Sequence, residues 1–228
     1  MRRSVLLFAV AAAALGSASA RAADAAPSPV LAPLDALYPD LQKLYFDLHQ
    51  NPELSFHEEK TAAKLADRLR ALGFEVTTGI GGTGIVGLLS NGKGPTVMIR
   101  TDLDALPVEE RTGLPYASKA TTKDSSGATV PVMHACGHDV HMSAWIGTAT
   151  LLSKAKDRWR GRLMMVGQLA EEMGGGARKM LAAGLFTKFP KPDFAIAFHD
   201  NADFRVTLDP LRRSEVVALE RGRVTLTV

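Results

Sequence analysis

Residues 141–166 read HMSAWIGTATLLSKAKDRWRGRLMMV and place a helix-forming segment directly before an apolar run. The first part, 141–154, is rich in alanine and leucine and contains no proline, which predicts a helix. Arg162–Val166 is short and apolar, as a buried strand would be. Since a similar run at Thr96–Arg100 precedes the helix, the order strand, helix, strand predicts an α/β domain.

The flanking sequence extends this alternation. Leucines recur at steps of three and four over 34–50, and apolar side chains line one face over 61–72, so both segments are predicted as helices. A triple glycine at 174–176 leads into another helix, and residues 117–130 are predicted to form a polar loop. Further strands are predicted at 74–78, 84–89 and 194–198. The sequence therefore predicts an α/β fold with a twisted, mostly parallel sheet.

The composition fits a globular protein with an apolar core. The 228 residues are 46% hydrophobic and 22% charged, which excludes a disordered or fibrous chain. Arg2 and Arg3, an apolar run at 5–15 and two Ala-x-Ala sites predict a signal peptide over 1–22 and an exported protein, periplasmic or secreted. An N-terminal membrane anchor is the alternative. Residues 23–33 are then expected to be a flexible leader.

The charge balance gives no sign of a nucleic-acid partner. The formal net charge is +3, and Arg2, Arg3 and Arg21 all fall within the predicted signal peptide, which has no acidic residue. The remaining chain is therefore close to neutral, and we expect no nucleic-acid binding and, after signal cleavage, no membrane binding. Cys136 is the only cysteine, so no internal disulfide is expected, and metal ligation is one reason for a lone thiol to persist in an oxidising compartment.

That cysteine lies in the segment 133–141, MHACGHDVH, together with three of the six histidines. Thiolate and imidazole are ligands that a borderline-soft divalent ion prefers, so Cys136 and His138 are candidate metal ligands. A helix that begins at about His138 would bring its positive end near the sulfur and, with the metal, lower the pKa of the thiol. The alternative is a small buried cysteine beside surface histidines.

Carboxylates follow two of the predicted strands. Asp102 and Asp104 come after the strand at 96–100, where a carboxylate can hydrogen-bond the second nitrogen of a metal-bound histidine; a solvated turn is the alternative. Glu171 and Glu172 come after the strand at 162–166. Because neighbouring side chains at a strand end face opposite ways, one can bind metal while the other transfers a proton. Adjacent glutamates are also common on helix surfaces.

Three further histidines lie outside the cysteine cluster. His199 ends the predicted strand at 194–198 and is a candidate ligand, although a lone histidine in such a position is more often structural. His49 and His57 have no metal-ligand spacing to the other candidates. We interpret both as structural residues or as residues that support a ligand.

Four motifs follow one another along the chain: Leu48–Ser55 with Glu58 and Thr61, Arg100–Pro107, Met133–His141, and Glu171-Glu172 before Gly174–Ala177. In these motifs the chain resembles the amidohydrolase branch of the dinuclear-metal aminoacylase and carboxypeptidase family, which includes hippurate hydrolases, N-acyl-amino-acid deacetylases and plant auxin-conjugate hydrolases. The resemblance covers residues 34–200 and implies a three-layer catalytic domain over 34–204.

The resemblance also implies a mechanism. It implies that a metal-activated water hydrolyses the amide bond of an N-acyl amino acid or small peptide. In this mechanism Glu171 would be the general base and acid, and Asp104 would be the orienting aspartate. Two divalent ions are implied, of manganese, zinc or nickel. Their ligands would be Cys136, His138, Glu172 and His199.

The chain also departs from the family. Members are longer, carry an inserted ferredoxin-like lid domain and have one more metal-binding histidine near the C-terminus. Here residues 205–228 form a divergent tail in which the lid is absent or only begun, which predicts a C-terminally truncated domain. The resemblance implies a homodimer only for full-length relatives. A dipeptidase or carboxypeptidase of the same family, and a non-catalytic remnant that binds metal or peptide, remain alternative functions.

Overall fold

The computed structural model describes residues 28–200. The predicted signal peptide and the tail 205–228 lie outside the described residues, as do the strands that the sequence predicts at 216–219 and 224–228. The predicted leader ends in a short 3-10 helix at Pro29–Leu31. Within the described part of the chain, no helix is both long and apolar enough to cross a membrane.

The helices and strands follow the predicted order along the chain. The helices are α1 (Leu34–Gln50), α2 (Glu59–Ala71), α3 (His138–Lys154), α4 (Gly176–Ala182) and α5 (Leu185–Lys188). The strands are β1 (Glu75–Ile80), β2 (Gly84–Asn91), β3 (Thr96–Asp102), β4 (Thr121–Lys123), β5 (Thr129–Pro131), β6 (Gly161–Gln168) and β7 (Phe194–Ala197).

The segment predicted as a polar loop, 117–130, contains most of a small hairpin. Strands β4 and β5 pair antiparallel in a sheet of their own. The turn between them forms because Asp124 Oδ1 accepts the backbone N–H groups of Ser126 and Ala128, while Gly127 takes a positive φ of 84°. The expectation of a plain loop was wrong here, since strands of three residues leave almost no periodic pattern.

The main sheet has five strands in the order β1-β2-β6-β3-β7. Strands β6, β3 and β7 are parallel neighbours, whereas β2 is antiparallel to both β1 and β6. Four of the five strands therefore run in the same direction, which confirms the mostly parallel sheet.

Helices cover both faces of this sheet and confirm the three-layer arrangement. Helices α1, α2 and α3 share one apolar core with Leu163 and Met165 of β6. Helices α4 and α5 share the other core with Met164 and Val166, the alternate residues of the same strand. Trp145 of α3 is fully buried and donates its indole N–H to the Ile99 carbonyl at 3.0 Å, which fixes the helix against β3.

The sheet brings the predicted site residues to one edge. Because β3, β6 and β7 are parallel, their carboxyl ends lie side by side, where open α/β sheets bind ligands. Asp102 pairs with Gln168 in register, and the Leu103 N–H donates to the Gln168 carbonyl at 2.9 Å. The segments that follow these strands, including Asp104, Glu171 and His199, therefore start from neighbouring positions.

Candidate metal centre

His138 is the first residue of α3 and is completely buried. Its Nδ1 donates to the backbone carbonyl of Asp104 at 2.8 Å. This bond fixes the tautomer and leaves Nε2 unprotonated in the neutral ring. Nε2 is buried and has no hydrogen-bond partner in the described chain, so it is free to bind an ion.

The Asp104 carboxylate does not make the bond that the sequence predicts. Its Oδ1 lies 3.6 Å from His138 Nδ1, which is too long for a hydrogen bond. The reason is that Oδ2 accepts the Ser55 hydroxyl at 2.6 Å and the Glu172 N–H at 3.0 Å. Burial acts to raise the pKa of Asp104, but the nearby His138 ring and the bonds from the Ser55 hydroxyl and the Glu172 backbone outweigh burial and lower it. Asp104 thus orients His138 through its backbone and Glu172 through its side chain.

The expectation that Glu171 and Glu172 face opposite ways is wrong, because both lie in a turn after β6 and not in an extended strand; both point toward His138 but they differ in exposure. Glu171 Oε2 lies 3.9 Å and Glu172 Oε1 4.0 Å from His138 Nε2. The Glu171 side chain is 40% exposed and that of Glu172 only 17%. Glu172 Oε1 is also buried without a hydrogen-bond partner in residues 28–200. The pair therefore offers one inward carboxylate and one that reaches solvent.

A tight turn holds this glutamate pair. The N–H groups of Gly175 and Gly176 donate to the Ala170 carbonyl at 3.4 and 3.1 Å, and Ala170 itself has a positive φ of 45°. A side chain at Gly176 would collide with the Leu169 carbonyl, so only glycine fits there. Glu58, fully buried, accepts the Ala170 N–H at 2.7 Å and ties the turn to the start of α2.

Cys136 and His199 complete the group. Cys136 Sγ lies 3.2 Å from His199 Nε2, and His199 Nδ1 donates to the Asp200 carbonyl at 2.6 Å. Burial, with the nearby charges of Glu172 and Glu171, raises the pKa of Cys136 to about 12. The predicted low pKa applies to the thiol with a metal bound, where the charge of the ion would offset these carboxylates.

The residues present fit a metal ion. One set of possible ligand atoms comes from Cys136, His138 and His199, and another from His138, Glu171 and Glu172, each within 4.8 Å of one another. Burial lowers the pKa of His138, but the bond to Asp104 and the charge of Asp102 outweigh burial and raise it to about 9. A divalent cation would replace that proton and offset the negative charge that raises the thiol pKa.

Comparison with known proteins relates this chain to a family. Residues 98–208 match the model of peptidase family M20/M25/M40. This part of the chain is therefore a segment of an M20-family domain. It is similar to the hippurate hydrolase of Campylobacter jejuni, at 40% identity over 162 residues that cover 71% of this chain and 39% of that protein. It is also similar to the N-acetyl-L-cysteine deacetylase of Bacillus subtilis, at 37% identity over 78% of this chain and 41% of that protein.

A solved structure agrees with this assignment. A Bacillus subtilis protein described as a dinuclear metal binding peptidase from the M20 family is 36% identical, with a TM-score of 0.65 over 75% of this chain and 45% of that chain. The chain described here spans about two fifths of the length of the curated relatives it matches. The family resemblance that the motifs predicted is confirmed.

The structure brings all six predicted site residues together and adds three that the sequence analysis missed. Ser55 ends the first motif of the resemblance, but its role is visible only in the fold, which brings it to Asp104. The sequence positions of His141 and Asp200 were a signal: His141 lies one helical turn after His138, and Asp200 directly follows His199. The six predicted residues are Asp104, Cys136, His138, Glu171, Glu172 and His199.

The two histidines without metal-ligand spacing differ: His49 supports the site, and His57 lies on the surface. His49 Nδ1 lies 2.6 Å from Asp139 Oδ2, and its Nε2 lies 3.1 Å from both oxygens of Glu110. Because Asp139 follows His138 in α3, this buried network contributes to holding the first turn of the helix.

Proposed function

We propose that the chain carries the catalytic residues of a metal-dependent amidohydrolase that cleaves the amide bond of N-acyl amino acids or small peptides. The match to the M20 family and the similarity to a hippurate hydrolase and a deacetylase support this proposal. The observation that carries it is the division between Glu172, buried and facing His138 Nε2, and Glu171, which faces the same point but reaches solvent.

In this proposal Cys136, His138, Glu172 and His199 would hold two divalent ions of manganese, zinc or nickel. Thiolate, imidazole and carboxylate together suit such borderline ions. When bound, the ions lower the pKa of a coordinated water and polarise the acyl carbonyl. The family relative of known structure is described as binding two metals, which supports the number of ions.

Glu171 would act as general base and then as general acid. Its carboxylate takes a proton from the attacking water and returns it to the leaving amine. Asp104 would keep the neighbouring carboxylate in place, because it accepts the Glu172 N–H at 3.0 Å while its own backbone carbonyl orients His138. A glutamate at position 171 that stays off the ion is essential to this scheme, since a carboxylate bound to metal is a poor proton acceptor.

The test is to load the purified chain with manganese or zinc, count the bound ions and assay hippurate and N-acetyl amino acids. Glu171→Gln should reduce turnover by about 10²–10⁴-fold while metal binding is retained. The matched control, Glu75→Gln on an exposed strand, should leave turnover unchanged.

Two other functions give different results in the same assay. A dipeptidase or carboxypeptidase, for which the 38% identity to a thermostable carboxypeptidase of Saccharolobus solfataricus is the supporting observation, would hydrolyse free peptides faster than N-acyl amino acids. A non-catalytic remnant would bind metal without any turnover. That last result would contradict the proposal.

Export is part of the same proposal. The charged start, short apolar run and Ala-x-Ala sites of residues 1–22 support a cleaved signal peptide and a periplasmic or secreted protein. Sequencing of the N-terminus after expression tests it. Recovery of a mature chain that starts at or near residue 23 is expected, and an uncleaved membrane-bound chain would support the anchor instead.

A further inference from the structure

His141 is a buried histidine that the proposed mechanism leaves without a role. It lies three residues after His138 on the same face of α3 and is 1% exposed. Its Nε2 lies 2.6 Å from Asp200 Oδ1 and 2.8 Å from the Asp200 backbone nitrogen. The ring is shielded from water, whereas the Asp200 side chain is 51% exposed, so the contact is closed to solvent only on the His141 side.

Both contacts join Asp200 to the same ring nitrogen, which cannot donate to the carboxylate and accept the N–H at the same time. Without a proton, Nε2 accepts the Asp200 N–H, and with a proton it donates to Asp200 Oδ1, so His141 bonds to Asp200 in either form. His141 thereby anchors the residue that follows a predicted metal ligand.

Asp200 in turn sets the orientation of His199. Its backbone carbonyl accepts the Nδ1–H of His199 at 2.6 Å, which leaves His199 Nε2 facing Cys136 Sγ at 3.2 Å. His138 has the same arrangement, with Nδ1–H donated to the Asp104 carbonyl. Both histidines therefore turn Nε2 toward one space because a backbone carbonyl holds the other nitrogen.

Packing fixes the same segment from the other side. The His141 and His199 rings lie 4.4 Å apart between centroids at an angle of 66°, an edge-on contact. The Asp200 carboxylate lies so close to Gly137, the residue before α3, that a side chain at Gly137 would collide with it. The segment after β7 is therefore held against the helix that carries His138.

We infer that His141, acting through Asp200, is a positioning residue for His199 and so for the ion that His199 and Cys136 would share. The inference rests on the proposed metal centre. His199 needs such support because it follows a strand of only four residues and its side chain is 48% exposed. Loss of the partner that orients a ligand typically weakens metal binding 10–100-fold.

The experiment titrates the full 228-residue chain with cobalt and follows the thiolate-to-cobalt absorption, which reports an ion at Cys136. His141→Phe should weaken cobalt binding about 10–100-fold. His57→Phe, at an exposed histidine, should leave it unchanged. Should His141→Phe fail to fold, Asp200→Ala removes the carboxylate contact to His141 at a side chain that is 51% exposed and should also weaken binding. Asp200→Asn, whose amide oxygen can accept the bond, should restore it.

Equal cobalt affinity in the wild type, His141→Phe and Asp200→Ala would overturn the inference. So would an Asp200→Asn variant that binds as weakly as Asp200→Ala, because the bond would then not be the cause. A wild type that binds metal without hydrolysing any substrate contradicts only the proposed function. A wild type without the thiolate band contradicts both, since Cys136 would not be a ligand.

Discussion

At the scale of single residues, His49 makes stability depend on pH. Burial lowers the pKa of His49, but the bonds to Asp139 and Glu110 outweigh burial and raise it. A raised pKa in the folded state contributes stability that is fully present below the unfolded value of about 6.5 and is lost as pH rises through the folded value. We therefore expect His49→Gln to cost about 1–3 kcal/mol more at pH 6 than at pH 9.

Urea unfolding of both proteins at each pH measures this difference. His57→Gln serves as the control, because an exposed histidine should give the same small change at both values. Tyr45 packs on the His49 ring but stays protonated at both pH values, because burial raises its pKa well above pH 9. Its ionisation therefore does not contribute to the difference. A loss for His49→Gln that is equal at the two pH values would show that the imidazolium is not what binds the carboxylates.

Residue types and the family resemblance were enough to predict which side chains the fold brings together, but not how they are held. Cys136 and His138 follow from the ligand preferences of divalent ions. The bond from Ser55 to Asp104 could not be predicted, because it joins the segment after α1 to the end of β3 and exists only once both are packed. The raised pKa of Cys136 also depends on carboxylates that come from another part of the chain.

At the scale of elements, the turn after β6 should tolerate no side chain at Gly176. The Leu169 carbonyl occupies that space, so Gly176→Ala forces the turn that carries Glu171 and Glu172 to move. We expect a loss of about 1–3 kcal/mol in the free energy of unfolding together with weaker metal binding. Gly174→Ala is the matched control: its φ is 63° but its surroundings are open, so it should cost about 1 kcal/mol and leave metal binding intact. Equal metal affinity in the two variants would contradict the role of the turn.

Elements with a long periodic pattern were predicted well. Helix α1 has the predicted bounds 34–50, because its leucines recur along one face and Pro52 follows its end. The hairpin of β4 and β5 was missed, since it depends on hydrogen bonds of Asp124 rather than on an apolar pattern. The antiparallel orientation of β2 could not be predicted either, because an apolar run has the same pattern in a parallel and in an antiparallel strand.

At the scale of the whole molecule, the predicted ligands come from distant parts of the chain, so metal binding should stabilise the fold. His138 begins α3 and Cys136 lies two residues before it, while Glu172 follows β6 and His199 follows β7. An ion that binds only the folded chain adds about 2.7 kcal/mol at a free concentration of 100 times its Kd. For a domain of this size that corresponds to a rise in Tm of about 5–10 °C, measured by calorimetry with and without a chelator.

Substitutions at Glu171 and Glu172 should have different effects on this metal-dependent rise in Tm. Glu172→Gln removes the buried carboxylate that faces His138 Nε2, so the metal-dependent rise in Tm should largely disappear. Glu171→Gln changes the more exposed carboxylate and should keep the rise while turnover is lost. Comparing each variant with and without metal removes any effect of the substitution on the metal-free chain. If both variants keep the rise, or both lose it, the assignment of Glu172 as ligand and Glu171 as base is wrong, because that assignment requires the two adjacent carboxylates to act on different partners.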